Sequence, residues 1–308
     1  MYRRVSRRKY RPRTYRKKAR VGTRRSASTY RRTKRTSRPM SKKRLLNVTS
    51  RKKRDTMLSW SNTSTAGASI TTNVGAMYVP GNLYGYSLWS PTARDLSQFS
   101  GPAGAVGQEA MRTATTCYMR GLSENIRVQT SSGLPWLWRR ICFKFKGPQF
   151  YTIAAGDTPT QPWQPWLESS NGYARQWFNA TVNNQGNTTS IMNSYLFKGV
   201  QGQDWNDVLI APVDSRRVDV AYDKYRRISS GNASGQLKEY KLWHPMNKNL
   251  VYNDDESGES EITAFNSVQD KRGMGDYYIL DLLVPGVGAT SSDILAISST
   301  ASLYWHER

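Results

Sequence analysis

Apolar and polar positions alternate with a period of two over much of the chain beyond residue 55. Leu137, Arg139, Ile141, Phe143 and Phe145 fall on one mostly apolar side, with Arg140, Cys142, Lys144 and Lys146 on the other. Such alternation marks a strand with two unlike faces. Ile126, Val128 and Thr130 repeat it, as do Val218, Val220 and Tyr222, then Leu237, Tyr240 and Leu242, and finally Tyr278, Leu280, Leu282 and Val284. Helical periodicity is nowhere sustained. The pattern predicts strands at 56–63, 118–130, 136–146, 206–211, 217–228, 236–243, 277–284 and 300–305, and so an all-β sandwich or barrel. Two connections are far longer than hairpin loops, 64–117 and 147–205, and the second carries Trp163, Trp166, Tyr173 and Trp177. So much apolar area packs either on the domain's own sheet or on a neighbouring copy.

Charge divides the chain at Arg54. Residues 1–54 hold 25 Lys and Arg and no Asp or Glu, whereas residues 55–308 hold 21 basic and 22 acidic side chains. The arm has too few apolar residues to close a core and is expected to be disordered alone; the 254 residues after it, with 10 Trp in the whole chain, suffice for a folded domain. A phosphodiester backbone is the densest polyanion available to the arm. The expected phosphate contacts are Arg3, Arg4, Arg7, Arg8, Lys9, Arg11, Arg13, Arg16, Lys17, Lys18, Arg20, Arg24, Arg25, Arg31, Arg32, Lys34, Arg35 and Arg38. Arg predominates, and guanidinium binds phosphate in a bidentate fashion. Tyr10, Tyr15 and Tyr30 lie between these clusters and either stack on unpaired bases or merely fill the sequence. Two tight clusters, Lys42, Lys43, Arg44 and Arg51, Lys52, Lys53, Arg54, also have the form of a nuclear import signal. A mitochondrial transit peptide or a membrane-surface patch would need an amphipathic stripe that the arm lacks.

Catalytic chemistry finds little support. Cys117 and Cys142 are too few and too far apart for a metal knuckle or a disulfide framework, and His244 and His306 belong to no metal or nucleophile motif. Nucleophile elbow, Walker loop and dinucleotide fingerprint are all missing, so neither an enzyme nor a bound cofactor is expected. No apolar run of about 18 residues is present to span a bilayer, and a soluble protein without a membrane partner is expected. The acidic cluster Asp254, Asp255, Glu256, Glu259 and Glu261 reads as a solvent-facing turn or, less simply, a cation site.

A basic arm before a neutral β body resembles the jelly-roll capsid proteins of small single-stranded DNA viruses. More narrowly, Arg51-Lys-Lys-Arg-Asp-Thr-Met-Leu-Ser-Trp60, Tyr118-Met-Arg-Gly-Leu-Ser-Glu124, Pro135-Trp-Leu-Trp-Arg-Arg-Ile-Cys-Phe143 and Lys248-Asn-Leu-Val-Tyr-Asn-Asp-Asp255 resemble capsid proteins of genomoviruses and geminiviruses. The resemblance implies an eight-stranded jelly roll over 55–308 that assembles with about 60 copies of itself into a T=1 shell. It further implies packaging of circular single-stranded DNA, assembly in the host nucleus after import by a host receptor, and residence in the virion. Trp136, Trp138, Arg139, Arg140, Lys144 and Lys146 would then be inner-wall DNA contacts, or else an ordinary strand face beside an interface. An RNA virus capsid, or a ribosomal or chromatin protein with a basic extension, is the rival reading; the latter usually carries positive charge on its body.

Overall fold

A computed structural model describes residues 40–97, 99 and 101–308. The chain is all-β. Eight strands build its two main sheets: β1 (Arg51–Met57), β2 (Gly85–Trp89), β3 (Thr116–Thr130), β4 (Trp136–Phe145), β5 (Asp219–Ile228), β6 (Gln236–Val251), β7 (Asp276–Pro285) and β8 (Ile294–Glu307). The first sheet runs β1-β8-β3-β6 and the second β2-β7-β4-β5, with every neighbouring pair antiparallel. A short strand at Met77–Pro80 also pairs with β8.

The predicted strands at 118–130, 136–146, 217–228, 236–243, 277–284 and 300–305 coincide with β3 to β8, several of which run longer. Two expectations are corrected. Residues 56–63 divide at Leu58: Thr56 and Met57 finish β1, and Ser59–Thr63 leaves to pair with Ser69–Val74 and Arg175–Trp177. Residues 206–211 form turns, because Arg139 draws their carbonyls inward, its Nη1 donating to Val208 O at 2.8 Å, Leu209 O at 3.0 Å and Ala211 O at 2.8 Å.

Burial parity follows the strand period and then breaks once. In β3, Cys117 and Met119 face inward, but beyond Gly121 the inward set is Leu122, Ile126 and Val128. Both pairings of β3 shift register nearby. A bulge of this kind needs Gly121: its φ is +153°, and a Cβ there would lie 2.6 Å from the His244 carbonyl oxygen.

Between the sheets lie Met119, Leu122, Cys142, Ile279, Leu303 and Trp305 at one end, and Ile126, Val128, Trp136, Trp138, Leu283 and Ile297 at the other. Each such side chain stabilises the fold by about 1.5–3 kcal/mol through burial. The far face of the second sheet is covered too. Phe143, Tyr278 and Leu280 pack against Phe150, Trp163, Phe178, Met192, Phe197 and Trp205 from the long excursion after β4. Trp163 and Trp177 are buried against their own domain, and Trp166 stacks on Phe265 at 5.2 Å, so own-sheet packing accounts for the aromatic loop.

That excursion also contains a helix absent from the sequence expectation, α2 (Gly186–Leu196); a shorter one, α1 (Lys42–Thr49), precedes β1. Gln185 supplies no side-chain cap to α2. Asp157 does so from a distance, accepting from Asn187 N at 3.0 Å and Thr188 N at 2.7 Å, as a carboxylate should at a positive helix end. Among the described residues, no helix is long and apolar enough to cross a membrane.

Candidate nucleic-acid interface

The arm contacts from Arg3 to Arg38, with Tyr10, Tyr15 and Tyr30, lie outside the described residues. The two import clusters do not. Lys42, Lys43 and Arg44 open α1, where Ser41 Oγ accepts from Arg44 N at 3.3 Å, and Arg51, Lys52, Lys53 and Arg54 form the start of β1. Residues 42–54 therefore have regular structure, contrary to the disorder expected up to Arg54. Lys53 is buried, and its Nζ donates to Gln108 O at 3.0 Å, Met111 O at 2.8 Å and Thr113 Oγ1 at 3.1 Å while pairing with Glu307 at 3.3 Å. It belongs to the body's interior, while Arg51, Lys52 and Arg54 remain exposed.

Four of the six inner-wall candidates are overturned as a DNA-binding face, while Lys144 and Lys146 are half-buried. Trp136, Trp138, Arg139 and Arg140 are all at most 2% exposed. Alternation suggested one solvated side; in a middle layer both sides are covered. Arg139 forms a two-pronged pair with Asp223 at 3.0 and 2.7 Å, beneath the turn described above. Lys144 pairs with Asp219 at 2.5 Å, and Lys146 donates to the carbonyls of Asp270 and Arg272.

Arg140 enters the gap between the sheets, where it meets Glu124 of β3, Asp281 of β7 and Arg175. Its Nε and Nη2 donate to Asp281 at 2.7 and 2.9 Å, and its Nη1 to Glu124. Arg175 completes the ring, donating to Glu124 at 2.9 Å and Asp281 at 2.9 Å, with Trp138 Nε1 adding a bond to Asp281 at 2.8 Å. Two cations oppose two anions. Burial alone would raise the Glu124 carboxyl, but Arg140 and Arg175 outweigh it and hold it at about 2. His244, whose Nε2 is 3.9 Å from Glu124, is pushed down to about 4, first by burial and then by Arg140, and is neutral at pH 7. With no solvent-exposed member, this ring fastens one sheet to the other and has no access for a substrate.

The remaining candidates resolve similarly. Asp254 is taken up by buried Arg112 in a two-pronged pair at 2.5 and 2.9 Å, leaving Asp255–Ser257 and Ser260–Ile262 as an exposed hairpin, the solvent-facing turn expected for the acidic cluster. Cys117 and Cys142 are free and buried. Among the described residues, no group of His, Cys, Asp and Glu is arranged to hold a metal ion.

What the structure assembles instead is a cleft of about 1430 Å³ between α1 and the solvent-facing side of the first sheet. Register carries one row of side chains across all four strands: Lys52 of β1 lies opposite His306 of β8, which lies opposite Tyr118 of β3, itself opposite Asn249 of β6. The Tyr118 and His306 rings sit 6.0 Å apart, tilted by 43°. Arg120, two residues beyond Tyr118 on the same face, and Arg308 add positive charge, with Lys42 and Arg44 across the cleft on α1. The alternation in 118–130 places Tyr118 and Arg120 together, but nothing in sequence joins them to residues nearly 190 positions away.

No protein-family model matches this chain, and no curated protein matches it. The class defined here is an all-β domain of two interlocked antiparallel sheets with a cationic N-terminal approach.

Proposed function

We propose that this chain is a viral capsid protein: a single jelly roll that self-assembles into a small icosahedral shell and packages circular single-stranded DNA through its N-terminal arm. The observation that carries the reading is the strand order. Sheets ordered β1-β8-β3-β6 and β2-β7-β4-β5 arise when an antiparallel ribbon pairing β1 with β8, β2 with β7, β3 with β6 and β4 with β5 is rolled into two Greek keys, the plan of jelly-roll capsid domains. Fold alone does not specify function. The charge distribution supplies the rest of the argument.

If a minimal shell uses about 60 copies, their arms bring on the order of 1,500 positive charges, comparable with one charge per nucleotide of a roughly 1.5 to 2.5 kilobase strand. A body with 21 basic and 22 acidic side chains lets neighbouring copies pack without the repulsion that a body of charge +24 would create. The resemblance to genomovirus capsid segments supports DNA over RNA and nuclear assembly over cytoplasmic. Its test is the nucleic acid recovered from nuclease-treated particles made in cells that replicate a circular single-stranded DNA. Protected circular DNA of that size class is expected; protected RNA would move the reading to an RNA virus capsid, and particles without nucleic acid would refute packaging.

A further inference from the structure

The body's buried cations hold internal carboxylates. Lys53 pairs with Glu307, Arg94 with Asp55, Arg112 with Asp254, Arg139 with Asp223, and Arg140 and Arg175 share Glu124 and Asp281. Around the cleft beneath α1 the pattern reverses. Lys42, Arg44, Lys52, Arg120 and Arg308 line it, no Asp or Glu does, and among the described residues none of the five cations forms an ion pair. Arg120 donates to Asn247 Oδ1, a neutral acceptor that orients the guanidinium without cancelling its charge. Fixed like charges around an open volume favour entry of a polyanion. At about 1430 Å³ the cleft exceeds the roughly 300–1,000 Å³ of a small-molecule pocket, and all five cations at its edge are exposed, as suits a chain passing through.

Its floor is aromatic. Tyr118 and His306 are half-buried, and His306 is held below its ordinary range by partial burial and by the charges of Arg120 and Lys52, so the ring is neutral at pH 7. The same face continues along β8 to Tyr304, where the Arg54 guanidinium lies 5.5 Å from the ring centroid, and then to Trp243, whose ring is 5.8 Å away and half exposed. A β-sheet face bearing aromatic rings flanked by cations is the chemistry that holds unpaired bases: rings take bases, cations take phosphates. A duplex presents no free base face to such a row. On the β6 side Lys144 and Lys248 share the single carboxylate of Asp219, at 2.5 and 3.4 Å, which halves the positive charge there.

We propose that this cleft and the aromatic row below it form an ordered binding site for a segment of single-stranded DNA on the folded body, with phosphates on Lys52, Arg120 and Arg308 and bases against Tyr118 and His306, running toward Tyr304 and Trp243. This rests on the packaging reading above, and it adds to it a second point of attachment besides the arm. Because α1 leads directly into β1 through Ser50, a strand gathered by the arm is delivered to the mouth of the cleft.

The test is photo-crosslinking of the full-length protein to a single-stranded oligodeoxynucleotide containing 5-iodouracil, with adducts located by peptide mass spectrometry. Adducts are expected on Tyr118, His306, Tyr304 or Trp243 in addition to the arm, and none at these four positions with the same sequence as a duplex. In a Lys52→Gln, Arg120→Gln, Arg308→Gln variant those adducts should fall about tenfold with arm adducts unchanged, and the slope of log affinity against log salt should drop by about 2, near 0.7 for each phosphate no longer neutralised. All three substitutions are at exposed positions. Adducts confined to the arm, or body adducts undiminished in the variant, would overturn the site while leaving packaging intact. Absence of any DNA binding by the full chain would remove the packaging reading itself.

Discussion

Replacing Arg140 with Met tests how the two sheets are held together. The substitution keeps an unbranched side chain of useful volume but leaves Glu124 and Asp281 facing Arg175 alone, so the buried ring changes from neutral to one net negative charge. Breaking a buried, hydrogen-bonded pair from one side costs about 3–5 kcal/mol. The cost should depend on pH through His244. In the parent protein burial and Arg140 hold this imidazole at about 4, below its ordinary 6.5. The unfolded chain therefore binds this proton first, and the imidazole's contribution to stability falls as pH drops below 6.5. Without Arg140 the imidazole keeps its burial penalty but lies 3.9 Å from an undercompensated Glu124, so it accepts a proton at a higher pH than in the parent. At pH 5.5 the parent should have lost about 1.4 kcal/mol through this group and the variant less, which narrows the gap between them. The assay is urea unfolding of full-length protein, followed by tryptophan fluorescence at pH 7.5 and 5.5 in salt high enough to prevent assembly. A second arm is Arg140→Met combined with Glu124→Gln, which restores neutrality and should be more stable than Arg140→Met alone. A loss below about 1 kcal/mol at pH 7.5, against the 3–5 kcal/mol expected, or a double variant weaker than the single, would refute the reasoning.

Two further outcomes follow from the same geometry. Deleting residues 1–40 should leave the thermal midpoint of the body nearly unchanged, whereas deleting 1–54 removes most of β1 and the Lys53–Glu307 tie and should lower it sharply; equal midpoints would place β1 outside the cooperative unit. In the parent protein His244 should contribute a loss of stability from pH 6.5 toward 4 as it resists protonation, against the gain over the same range from buried Asp276 and half-buried Glu168, both pushed up to about 7 by burial. Glu124 adds a second decline below pH 4.5, continuing as pH falls through about 2, because the folded state holds it deprotonated. A His244 ring already protonated above pH 5.5, read from its NMR titration, would contradict the buried neutral imidazole.

The sandwich was legible because β3 to β8 each carry a period-two pattern long enough to outlast its ends. The site was less so. Alternation in Leu137 to Lys146 reads as one dry and one wet face, yet a third layer of chain covers the second sheet's outer side, so Arg139 and Arg140 became interior groups. That covering layer includes α2, whose Gly-Asn-Thr-Thr-Ser start has weak helix propensity and depends on Asp157, 30 residues earlier, to satisfy its first amides. Residues 206–211 looked like a strand for a related reason: Leu209 and Ala211 are real core, but the carbonyls of this segment answer to Arg139. The charge split at Arg54 was visible at once. Its structural boundary was not, because Lys53 belongs to the interior by virtue of Glu307, at the other end of the chain.

Closed self-assembly of a jelly roll around nucleic acid is what most needs testing. The most direct measurement is electron microscopy of the purified full-length protein mixed with circular single-stranded DNA, with particle mass taken in parallel. Uniform spherical particles on the order of 2 MDa are predicted, about 60 copies of a 35.0 kDa chain closed by point-group symmetry. A monodisperse monomer at every salt concentration, with or without the DNA, would contradict it.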